Sequence, residues 1–146
     1  MRRSHPAAAL ALALALPGGL AAGPLPAPAL MPCLATGAST GPNGEWPVVG
    51  KRFPTACQVS IDGTANPANA YLRRLRALHW IERSATRAVA VGAALPNHYP
   101  FDPYRVRVVV RAPRPSGCGR QFTQIIITSR WGRGAGTLPS LSCGAG

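Results

Sequence analysis

Three stretches limit this chain more than anything else in it. TRAVAVGAAL (Thr86–Leu95), YRVRVVV (Tyr104–Val110) and QFTQIIIT (Gln121–Thr128) alternate or concentrate apolar side chains as β-strands do. The segments between them, PNHYPFDP and APRPSGCG, are dense in turn formers. Strands joined by short turns pair antiparallel, so the spacing predicts a sheet containing residues 86–95, 105–111 and 121–128. Val89, Val91, Ala93 and Leu95 are expected on one face of the first strand. Val106, Val108 and Val110 are expected inward on the second, against Arg105 and Arg107. On the third, Phe122, Gln124 and Ile126 oppose Thr123, Ile125 and Ile127. A shorter strand is expected around 56–61, where Cys57, Val59 and Ile61 alternate with polar neighbours.

Upstream, NPANAYLRRLRALHW reads as a helix over residues 67–79. Asn66 is a good N-cap, Pro67 suits the first helical position, and Leu72, Leu75 and Leu78 recur at helical spacing. One helix followed by antiparallel strands is an α+β arrangement, with the helix covering one face of the sheet. Leu72, Leu75, Leu78, Trp80, Val89, Val91, Val108 and Ile126 are the expected core.

The flanks differ in composition. Arg2 and Arg3 precede the apolar run AAALALALAL and a small-residue stretch, the layout of a secretory signal peptide over residues 1–23. Residues 24–49 are rich in Pro and Gly and read as a linker, and residues 131–146 as a flexible tail, both expected to be disordered. The folded domain is placed at 50–130. Cys33, Cys57, Cys118 and Cys143 make an even count in a chain read as exported, which favours disulfides and leaves three pairings open. The expected location is secreted or extracytosolic, with membrane association through a larger assembly.

Charge is lopsided. Sixteen basic residues, all arginine but Lys51, face four acids, for a formal net charge of +12. Such a surface attracts anionic glycan, lipid or acidic protein, and arginine meets carboxylate, sulfate or phosphate with two parallel N–H donors. No nucleic-acid recognition motif accompanies the charge, which argues against specific nucleic-acid binding. Arg73, Arg74 and Arg76 on the expected helix and Arg105 and Arg107 on the strand are the candidate contacts to an anionic surface or partner. The cysteines form no Cys-x-x-Cys pair for zinc, and Asp62, Glu82 and Asp102 are scattered. No catalytic residue, cofactor or metal site is assigned, and an exported enzyme is the least supported reading.

The run from Trp80 resembles a known family. Trp80, Ile81, Glu82, Arg83, Thr86, Arg87, Ala88, Val89, Val91 and Asn97 follow the order of W-[IL]-D-x-x-T-R-A-V-F-V-E-F-x-x-Y-N, with one extra residue before Thr86. That pattern belongs to the extracytosolic domain of the polycystin cation channels, which lies between the first two transmembrane helices. The resemblance spans about Gly50 to Thr128. It departs where Ala90 and Ala93 replace aromatics, Gly92 and Arg111 replace acids, and Pro96 replaces tyrosine. It implies a leucine-bearing helix before Trp80, a non-enzymatic interaction domain, and polycystin-type subunits or a second copy as partner. It also implies that Trp80 anchors a helix–strand corner and that Arg87 is a paired charge where the strand begins. The channel helices have no counterpart here. A secreted basic protein that binds an anionic glycan, lipid or acidic protein is the alternative reading.

Overall fold

The computed structural model describes residues 27–35, 45–65, 72–96 and 102–141. Within them the chain is all-β. Its strands are β1 (Met31–Leu34), β2 (Val48–Lys51), β3 (Cys57–Ser60), β4 (Leu72–Arg83), β5 (Arg87–Leu95), β6 (Tyr104–Ser116), β7 (Gly119–Ser129) and β8 (Gly132–Thr137). They form one antiparallel sheet in the order β2-β1-β3-β4-β5-β6-β7-β8. The α+β expectation is corrected: the leucines read as one helix face lie on the strand β4, while residues 66–71 fall outside the described residues.

The physical reason lies at Ala77. The register of β4 against β5 shifts between Arg76 and His79, and Ala77 carries a left-handed φ of 52°. An extra residue in a strand resets the inside–outside alternation. Leu75 and Leu78, three apart, therefore both enter the core, where an unbroken strand would send them to opposite faces. Trp80 follows Leu78 inward at the normal spacing of two. Leu72 is buried on the other face, paired with Ser60. Gly92 makes room for the bulge, because a Cβ there would lie 2.9 Å from the carbonyl oxygens of both Arg76 and Ala77.

The sheet curls until its ends meet. Leu30, just before β1, bridges Gln121 on β7 through Leu30 N–H to Arg120 O (2.8 Å) and Phe122 N–H to Leu30 O (2.9 Å). At a second point Asp62 bridges Thr137, with Thr137 N–H donating to Ile61 O at 3.2 Å. The result is a closed, barrel-like sheet whose seam joins early residues to late ones. Gly136 sits in that seam, where any Cβ would lie 1.8 Å from Ile61 O. Gln121, buried beside the seam, donates to Phe122 O and Pro139 O and accepts from Leu141 N–H, which ties the segment after β8 onto β7.

On the inner face, large side chains stand beside small ones on the neighbouring strand. Trp80 pairs with Ala90 and Leu75 with Ala94, while Ala88 and Ala90 pair with Val110 and Val108. This reverses the expected face of β5. Ala88, Ala90 and Ala94 fill the core, whereas Val91 points outward and is 40% exposed. On β7 the core takes Phe122, Ile125 and Ile127, and Ile126 is buried outside that cluster. The inward valines of β6 stand as expected.

Residues expected to be disordered also contribute strands: β1 and the first two residues of β2 fall within 24–49, and β8 falls within 131–146. A disulfide, Cys33–Cys57, joins β1 to β3 across a Cα–Cα distance of 5.3 Å. Cys118 is disulfide-bonded too, and Cys143 lies outside the described residues. Such bonds fit an oxidising, extracellular-type environment. Among the described residues no helix is long and apolar enough to cross a membrane. The proposed signal peptide lies outside the described residues. An apolar inside and an arginine-bearing outside are the reverse of a lipid-facing barrel.

Candidate functional site

The outer face of β4–β8 follows from the register. Reading across the strands, Arg76, Ala93 and Arg105 form one row, and Val91, Arg107, Thr128 and Arg133 form the next. Val89, Val109, Ile126 and Ala135 form the third, and Arg87, Arg111, Gln124 and Thr137 the fourth. An apolar row thus runs between arginine rows. Arginine stems can cover neighbouring apolar surface while their guanidinium groups stay in water. Val89 and Ile126 in that row are buried, though outside the core cluster.

The arginine rows lead to a cleft at one end of the barrel. Tyr104 opens β6, and Trp131 stands in the tight β7–β8 turn, so antiparallel pairing brings the two rings together. They meet edge to face with centroids 5.1 Å apart. Arg130 lies over the Trp131 ring, its guanidinium carbon 4.3 Å from the centroid. Trp131 is nevertheless 65% exposed, an unusual position for so large a side chain. Beside the aromatic pair is a cleft of about 530 Å³ walled by Asp102, Pro103, Arg105 and Arg130. A second cleft of about 300 Å³ shares both rings, and its lining includes Ile61, Arg73, Ile127 and Arg133. Four arginines and one aspartate therefore surround two shared rings.

The sequence-derived candidates separate in space. Arg105 and Arg73 line the clefts, Arg73 also donating to Leu72 O at 3.0 Å. Arg74, Arg76 and Arg107 are exposed along β4 and β6. Arg76 shares a row with Arg105, while Arg107 is in register with Thr128, and Thr128 with Arg133. Trp131, Tyr104, Arg130 and Arg133 were not among the candidates. For Trp131, Arg130 and Arg133 the signal was SRWGRG, a tryptophan with arginines on both sides beside a turn glycine.

The family-motif residues sit elsewhere. Trp80 is buried, donates Nε1–H to Pro54 O at 2.8 Å and meets Phe53 edge to face. Arg83 lies over Phe53. Ile81 is 56% exposed. Glu82 and Arg87 form an ion pair across the β4–β5 hairpin, and Ser84 Oγ accepts from the N–H groups of Thr86 and Arg87 to shape its turn. Ala88 and Val89 are buried, Val91 points out, and Asn97 lies outside the described residues. Trp80 thus anchors a strand against the β2–β3 loop; the helix–strand corner implied by the polycystin resemblance has a strand on both sides.

Two acids are already engaged. Glu82 holds Arg87, and Asp62 accepts from Ser60 Oγ, Thr64 N–H and Thr64 Oγ1–H in the turn after β3. Among the described residues no group of three His, Cys, Asp or Glu side chains is placed to hold a metal. No family model, curated protein or solved structure matches this chain.

Proposed function

We propose that this protein is an exported, non-enzymatic binding domain that holds an anionic ligand in the Trp131–Tyr104 cleft. The observation that carries the reading is the grouping of Arg73, Arg105, Arg130 and Arg133 around two rings in edge-to-face contact, with Asp102 as the one acid in the lining. A guanidinium held over an indole by a cation–π contact still has N–H donors to offer a ligand, and the contact restricts its motion. Arg130 is therefore preorganised to receive a carboxylate, sulfate or phosphate in a two-pronged contact. The outer arginine rows extend the attraction and draw anions toward the cleft. The disulfide supports an oxidising location, and the composition of residues 1–23 supports export.

The test compares two variants of equal net charge by the salt needed to elute them from a sulfonate cation-exchange resin. Arg105→Gln with Arg130→Gln removes two cleft charges; Arg52→Gln with Arg114→Gln removes two exposed charges elsewhere. Earlier elution of the cleft variant alone supports the reading. Identical elution means that only total charge counts, and refutes it.

A further inference from the structure

We infer that the ligand is an acidic polysaccharide, with sugar rings bearing sulfate or carboxylate groups; this rests on the anion-binding reading above. Three features of the cleft distinguish it from a site for a simple anion or a phosphodiester chain. The first is length. The two clefts both include Tyr104 and Trp131 in their lining, so they adjoin at the rings, and cavities of this size admit a ligand of several rings. Each cleft has its own arginines, Arg105 and Arg130 in the larger and Arg73 and Arg133 in the smaller. That spacing suits anionic groups repeated along a chain.

The second feature is the wall itself. Trp131 and the half-buried Tyr104 offer ring surface to whatever lies between the charges, with the buried Ile61 and Ile127 also in the lining of the smaller cleft. Pyranose rings present C–H faces that pack on such surface, and their hydroxyls remain at the rim.

The third is Asp102, which walls the larger cleft beside Arg105 and Arg130. A carboxylate only accepts hydrogen bonds. It accepts from sugar hydroxyls but repels the uninterrupted phosphates of a nucleic acid backbone and the headgroup plane of an anionic membrane. A site selected only for negative charge gains nothing from an aspartate at its centre.

Intrinsic fluorescence and titration calorimetry at about 0.15 M salt test the inference on the full chain. The probes are a sulfated heparin-type oligosaccharide, an oligogalacturonate, an oligothymidylate of matched charge, and vesicles containing phosphatidylglycerol. At least one acidic oligosaccharide is expected to bind about tenfold or more tightly than the oligothymidylate and the vesicles. The first two probes distinguish sulfate from carboxylate as the anion recognised. Trp131→Ala and, independently, Arg130→Gln should remove that preference, and both side chains are exposed enough to change without unfolding the barrel. Asp102→Asn should weaken the oligosaccharide and strengthen the oligothymidylate. If the oligothymidylate or the vesicles bind as tightly, or Asp102→Asn strengthens every ligand alike, the glycan inference falls and the anion site stands. If no probe responds to Trp131→Ala or Arg130→Gln, both fall.

Discussion

Replacing Gly136 by alanine is the sharpest test of the closed sheet. The added Cβ would lie 1.8 Å from Ile61 O and 2.7 Å from its carbonyl carbon. Both obstacles are backbone, so no rotamer change relieves them, and β8 must retreat from the residue after β3 by roughly 1 Å or more. Thr137 N–H to Ile61 O, already 3.2 Å long, then passes out of hydrogen-bonding range. Losing that bond costs about 1 kcal/mol. Partial uncovering of Ile61 and Leu138, both buried next to it, adds roughly 1–2 kcal/mol at about 25 cal/mol per Å². The expected loss is about 2–3 kcal/mol. With a urea slope of about 1–3 kcal/mol/M, the midpoint falls by roughly 1–2 M. Gly134→Ala is the control, because its Cβ would meet only Ile61 Cδ1 at an ordinary 3.6 Å. That variant should stay within about 0.5 kcal/mol of the parent. Equal midpoints for the two variants would refute the seam, and with it the closed sheet.

Two further outcomes follow from the strands. Ala77→Gly should raise stability by about 0.5–1 kcal/mol in the same urea assay, because it relieves a left-handed alanine, whereas the same change inside a regular strand costs about that much. Converting Cys33 and Cys57 together to alanine should cost about 2–4 kcal/mol, given a sequence separation of 24 residues. Hydrogen exchange in that variant should rise first in β1 and β2, since β1 otherwise meets β3 through the single register pair Leu34 and Gln58.

Much of the sheet could be read from residue order. The strands β5, β6 and β7 and the inward valines of β6 follow from alternation and turn chemistry, whereas the burial of Trp80 was expected at a helix–strand corner and is found on a strand. β4 misled because the leucine spacing of a helix is also the spacing that a bulged strand produces, and nothing in LRRLRALHW marks Ala77 as left-handed. The face of β5 misled for a packing reason. Hydrophobicity alone places valine inside, but an interior already holding Trp80 and Leu75 needs alanine opposite them. β8 was illegible because GRGAGT has poor strand propensity; Gly136 is there for the close approach at the seam. The cleft was half-legible. Arg73 and Arg105 stood out by charge, whereas Trp131 and Arg130 required knowing that the β7–β8 turn lies beside Tyr104.

The seam also determines the order in which this protein assembles. β4 to β7 are joined as successive neighbours, so their pairings need little chain to be gathered. The contacts of Leu30 with Gln121 and of Ile61 with Thr137 bring together residues far apart in the chain, and neither can form before β7 and β8 are available. A topology closed by such distant pairs folds slowly relative to its size. During that interval the arginines of β5 and β6 are already displayed on the hairpin surface, and their mutual repulsion keeps partly assembled copies apart. The charge proposed to draw a ligand to the finished barrel would thus also guard the unfinished one against edge-to-edge association.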